Sequence, residues 1–145
     1  MPIQQGATNA FKTGLASGSF NFNSDSFKIA LYTGAATLGP TTSTYITTDE
    51  VSSTGTGYTT GGNPLTVSVA PTTGANPDNT VAYLSFSNVT WNPAAFTCRG
   101  ALIYKVGSGN PTVCVLDFGS DKTCTTQFQI QFPTADSASA IIRIN

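Results

Sequence analysis

Seven short segments of this chain alternate apolar and polar residues or run continuously apolar, and Gly, Pro, Asn and Asp cluster between them. Ser26-Phe27-Lys28-Ile29-Ala30-Leu31-Tyr32 sets Phe27, Ile29 and Leu31 on one side and Ser26, Lys28 and Ala30 on the other. That period of two puts successive side chains on opposite faces of a half-buried strand. Leu65–Val69 alternates and stops at Pro71, and a turn-rich stretch from Pro71 to Asn79 leads into Val81–Phe86. Gly100–Lys105 turns through Gly107-Ser108-Gly109-Asn110 into Thr112–Phe118, the clearest hairpin in the chain. Thr126–Phe132 points Phe128, Ile130 and Phe132 inward, and Ala140–Ile144 forms a last strand. Strands polar on one face and apolar on the other are what antiparallel sheets allow. The central hairpin is more continuously apolar, which places it mid-sheet or under a neighbour.

One helix is expected near the N-terminus, capped by Thr8 or Asn9 and broken at Gly18, with Phe11 and Leu15 four apart on one face. From Thr33 to Asn63 the pattern lapses into Thr, Ser and Gly, punctuated by Tyr45, Ile46, Val51 and Tyr58. A segment this long without its own pattern is read as a functional loop or an arm, with room for one or two extra strands. The fold class that follows is all-β: a single antiparallel β-sandwich, jelly-roll-like, with one short N-terminal helix and a long Thr/Gly-rich loop. No repeat or linker divides it, so residues 1–145 form one domain, with 1–25 as N-terminal arm and helix and 34–63 as long loop or arm.

Thr and Ser make up 38 of the 145 residues, but nine Phe, five Tyr and one Trp supply a core, which argues against disorder. The side chains that reactivity needs are scarce. Histidine is absent, and with it go Ser-His-Asp and Cys-His catalysis and His-ligated zinc. A formal charge of −1 offers no basic surface to nucleic acid or anionic lipid. No cofactor is expected. No apolar run approaches the ~18 residues of a spanning helix, and the start, Met1-Pro2-Ile3-Gln4-Gln5, carries no secretory pattern. Cys98, Cys114 and Cys124 show no CxxC spacing; Cys98 and Cys114 read as small core residues in a chain made in a reducing cytoplasm.

The short motifs have ordinary readings. Asp117-Phe118-Gly119 matches a kinase triplet without its glycine-rich loop or catalytic loop; Asp117 ends a strand and Gly119-Ser120-Asp121 turns the chain. Asp117, Asp121, Asp136 or Asp49-Glu50 hold oxygen ligands suited to calcium or to paired-carboxylate chemistry, but without the spacing of a known loop. Gly55-Thr56-Gly57-Tyr58-Thr59-Thr60-Gly61-Gly62 lacks the Gly-Lys-Ser/Thr ending of a phosphate loop and reads as backbone needing positive φ or close approach. Asn88-Val89-Thr90 matches the glycosylation pattern, and Trp91-Asn92-Pro93 with Phe96 is either a core corner or an exposed aromatic rim. Arg99 is one of two arginines, and a partly buried pairing with Asp117 or Asp121 is the expected role.

Asn9-Ala10-Phe11-Lys12 followed by Asp25–Thr33 resembles the opening of a group of small proteins encoded in tailed-bacteriophage genomes. Gly55–Gly62, Ala95–Tyr104, Val115–Lys122 and Phe132–Asp136 resemble that group in the same order. The resemblance implies a virion structural component, best matched by a capsid decoration (cement) protein. Its partners would be the major capsid protein and copies of itself, as homotrimer or homodimer, on the capsid surface. Phe11, Leu15, Tyr45, Tyr58, Trp91 and Arg99 are the candidate interface residues. Under this reading the loop and the N-terminal segment are arms that add strands to a neighbour's sheet. The competing readings are a tail, neck or fibre-attachment subunit, and a carbohydrate-binding module stacking sugars on Trp91, Tyr58 and Tyr83. An enzyme ranks last.

Overall fold

The computed structural model describes residues 2–74 and 79–145. Part of the turn-rich stretch expected at 71–79 lies outside them. The helix forms where its caps direct: α1 spans Asn9–Ser17, and the Thr8 hydroxyl accepts the Phe11 amide at 3.2 Å. Gly18, left-handed at φ 78°, returns its amide to the carbonyls of Gly14 and Leu15. The Thr8 hydroxyl also reaches the Thr112 carbonyl at 3.1 Å, which ties the helix start to the sheet.

Among the described residues ten strands surround the core: β1 (Gly6–Ala7), β2 (Phe27–Tyr32), β3 (Asn63–Leu65), β4 (Val67–Thr73), β5 (Ala82–Phe86), β6 (Val89–Trp91), β7 (Phe96–Lys105), β8 (Thr112–Cys124), β9 (Phe128–Ile130) and β10 (Ile142–Ile144). They make an antiparallel five-stranded sheet in the order β1-β8-β7-β2-β3, a three-stranded sheet β10-β5-β4 and a pair β6-β9. The protein is thus all-β and sandwich-like. Its strands are shared out as five, three and two, where a jelly roll has eight strands in two sheets.

The main core lies on one face of the five-stranded sheet. Phe27, Ile29 and Leu31 of β2 meet Leu84 and Phe86 of β5, Trp91 of β6 and Ile130 of β9 in one buried cluster. Phe22 stacks on Phe27 at 4.6 Å between ring centroids, and Phe11 meets Phe20 edge-on at 5.2 Å, so α1 packs on the main core through Phe11.

A second core lies on the opposite face, and here the half-buried reading of β2 is corrected. Ala30 and Tyr32 are fully buried, together with Leu102 of β7 and Val115 of β8. What covers them is the segment 33–62 with Ile3: Ala36 and Leu38 are each 1% exposed and pack against this face. Burying a leucine side chain contributes roughly 1.5–3 kcal/mol. The arm expected at 34–63 is therefore folded home, since its apolar residues find a partner in their own chain. The N-terminal segment is held likewise, with Gly6 and Ala7 paired to Val115 and Cys114 of β8.

Three local readings also change. Leu65–Val69 is divided between sheets: β3 pairs with β2, and β4 pairs with β5 and runs on through Pro71, which an edge strand tolerates. β8 does not turn at Gly119-Ser120-Asp121. It bulges there, with Gly119 at φ 80°, and the register passes from Gly100↔Asp117 to Cys98↔Lys122. Thr126–Phe132 narrows to the three residues of β9, paired with a strand at Val89–Trp91 too short to show a period.

Candidate functional site

The six candidate interface residues do not converge on one site. Phe11, Tyr58 and Trp91 are 4%, 3% and 2% exposed and belong to the main core. Trp91 stacks on Tyr58 at 6.3 Å beside the cis Asn92–Pro93 peptide, and no described residue accepts its indole N–H. Neither ring offers a face to a sugar, and Tyr83 is half-buried in β5. Leu15 stays open to solvent at the last turn of α1. Arg99 pairs with Asp117, Nε to Oδ1 at 3.2 Å, as its sequence setting suggested. The Gly119 amide donates to the same carboxylate, and these two contacts hold the Asp117 carboxyl below its ordinary range.

Tyr45 leads to the feature that sequence reasoning missed. Its ring stacks on Tyr104 at 4.6 Å, and its hydroxyl donates to Glu50 Oε2 at 2.6 Å. The other oxygen of Glu50 accepts from the Tyr58 hydroxyl at 2.6 Å and the Gly61 amide at 2.7 Å. Around this carboxylate the Tyr104 hydroxyl donates to the Gly61 carbonyl and the Tyr32 hydroxyl to the Ile46 carbonyl, both at 2.6 Å. Asp49 takes a left-handed backbone, φ 60°, just before Glu50 bridges to Tyr32. The signal was present, because Glu50 is the chain's one glutamate and sits between two tyrosines in a stretch of Thr, Ser and Gly.

Burial raises all four phenols, and the nearby Glu50 charge adds to it; Tyr104 reaches about 12 and the others go higher. They stay protonated and donate. Charge-assisted bonds of this kind are among the stronger ones a fold can make. The glycine motif fits the cluster as its composition suggested. Gly57 (φ 78°) and Gly62 (φ 80°) lie so close to the Pro93 and Ile29 carbonyls that an added Cβ would overlap them.

Two further carboxylates have local work. Asp25 accepts the Asn21 amide at 2.7 Å and pairs with Lys105 at 3.2 Å, and Asp136 accepts the Ala138 and Ser139 amides. Among the described residues no three His, Cys, Asp or Glu side chains come together as a metal site. Cys98 and Cys114 are buried free thiols, each raised to about 12 by desolvation. Among the described residues no helix is long and apolar enough to cross a membrane. Comparison with protein-family models, with curated proteins and with solved structures gave no match.

Proposed function

We propose that the chain is a structural protein of a tailed-bacteriophage particle, a capsid decoration protein that binds the outside of the major capsid protein shell and stabilises it. The observation that carries this reading is the use made of its few acidic groups. Glu50 accepts two phenols, Asp25 and Asp117 pair with Lys105 and Arg99 across the fold, and Asp136 caps its own turn, so these groups act as fasteners of a shaped body. The ordered phage-like blocks support the same reading, and a net charge of −1 suits subunits packed side by side on a lattice.

Adding the purified protein to shells that lack it tests the proposal. Saturable binding and a higher shell rupture temperature are expected, and a chain that neither binds nor protects shells would overturn it. Copy number on the particle separates this role from a tail or neck role: hundreds of subunits for decoration, about six or twelve for a ring at the neck.

A further inference from the structure

The chain's three cysteines all sit on the hairpin of β7 and β8, and two of them are neighbours. At the open end of that hairpin Phe96 lies opposite Cys124, Thr97 opposite Thr123 and Cys98 opposite Lys122. The Thr97 and Thr123 hydroxyls meet at 2.8 Å on the exposed face. Side chains alternate along a strand, so Cys98 and Cys124 both stand on the other face, diagonal to one another. There they pack in the main core: Cys98 is fully buried, and Cys124 is half-buried as the last residue of β8. The Cys124 Sγ already leans onto β7, 3.5 Å from the Phe96 carbonyl. Burial raises the Cys98 thiol, and the nearby Cys124 sulfur adds to that rise.

We infer that Cys98 and Cys124 are a redox pair, which oxidised glutathione converts into a disulfide stapling β7 to β8. Diagonal neighbours across an antiparallel pair have α-carbons about 7–8 Å apart, and a disulfide spans up to about 6.8 Å, so the strands must close by roughly an ångström. The local structure lets them. Cys124 ends its strand, and the ladder beside Cys98 is interrupted by the bulge between Cys98 and Gly100. Exposure sets the order of steps. The half-buried Cys124 thiolate attacks oxidised glutathione, whose S–S bond breaks to leave a mixed disulfide and one glutathione thiolate. The Cys98 sulfur then attacks the Cys124 sulfur, the bond to glutathione breaks, and the Cys98 proton passes to the departing thiolate. The two protein thiols are oxidised, and one oxidised glutathione is reduced to two thiols. Cys114 lies opposite Ile103, toward the closed end of the hairpin, and stays a thiol. The inference concerns the isolated chain and stands apart from the capsid reading.

Incubation of the full chain with oxidised glutathione, followed by alkylation of the remaining thiols under denaturant and peptide mass spectrometry, tests it. A linked Cys98–Cys124 peptide pair with Cys114 alkylated is expected, and the linked chain should melt roughly 5 °C or more above the reduced one. Cys98→Ser should stop at a glutathione adduct on Cys124, whereas Cys114→Ser should link as the wild type does. Circular dichroism checks that the variants fold, and the wild-type result decides the question even if the buried Cys98→Ser does not. A wild-type chain that takes up no glutathione, or that keeps the adduct on Cys124 with Cys98 free, overturns the inference. So does a link through Cys114, a link between two chains, or a linked chain that melts no higher than the reduced one.

Discussion

The Tyr58 hydroxyl donates to Glu50 at 2.6 Å and accepts the Leu31 amide at 2.9 Å, so one phenol joins the segment covering the second core to strand β2. Hydrogen bonds to charged groups contribute about 1.5–3 kcal/mol, and a buried partner left unsatisfied costs a similar amount. Glu50→Ala is expected to destabilise the fold by about 2–3 kcal/mol and lower the Tm by roughly 5–10 °C. Thermal unfolding checks the magnitude. Hydrogen exchange should show lost protection confined to 33–62 and the face beneath it.

Tyr58→Phe removes one donor to Glu50 and the acceptor of the Leu31 amide, and should cost about 1–3 kcal/mol. Because both residues belong to one network, Tyr58→Phe and Glu50→Ala together should cost less than the sum of the two. A double-mutant cycle from denaturant melts measures this; strict additivity would show that the bond carries no coupling.

Gly62→Ala should be the most damaging single-methyl change in the glycine motif. It combines a left-handed backbone with overlap on the Ile29 carbonyl, whereas Gly55, also left-handed, has open space around its missing Cβ. The left-handed cost alone is about 1–2 kcal/mol. Gly55→Ala should therefore lose about that much and Gly62→Ala clearly more, read as a difference in midpoint under equal denaturant.

Acid should weaken the fold through Asp117 and Asp25. Hydrogen-bonding amides and paired cations lower both carboxyls from the ordinary 3.8. Groups lowered in the folded state bind fewer protons there than in the unfolded chain. Their stabilisation is present above the ordinary value and is lost as pH falls through the lowered one. Asp117→Asn should flatten the stability curve below about pH 4, as followed by denaturant melts across that range.

Alkali acts with the opposite sign. Tyr32, Tyr45, Tyr58 and Tyr104 are raised, so the fold favours their neutral forms. That stabilisation is complete below the ordinary phenol value of 10.0 and is lost as pH rises toward the folded-state values. Phenolate absorbance from these four residues should appear together with the loss of native circular dichroism. Their ionisation in a chain that still shows native dichroism would contradict the buried cluster.

Where a signal was local, it could be read without coordinates. Thr8 and Gly18 bracket α1, and β7 and β8 form the hairpin that Gly107–Asn110 announced. Long-range contacts were not legible in the same way. The alternation of Phe27, Ile29 and Leu31 marks one buried face, but nothing local to Ala30 and Tyr32 says that Leu38 will cover them. The bulge in β8 was hidden because Gly119-Ser120-Asp121 has turn composition, and only its pairing with β7 keeps it extended. Glu50 beside Asp49 reads as an oxygen ligand for calcium; its two phenol donors, Tyr45 and Tyr58, come from either side of it in its own segment, while Tyr32 of β2 and Tyr104 of β7 fasten the Ile46 and Gly61 carbonyls around it, a convergence that spacing does not encode.

The closed state of 33–62 bears on how the molecule would meet anything else. Fixing one residue's backbone costs roughly 1–2 kcal/mol of conformational entropy. Here that ordering is completed during folding, through Leu38, Glu50 and Tyr58. An encounter then joins two finished surfaces: association needs no disorder-to-order step in this segment, and detachment returns a subunit ready to bind again.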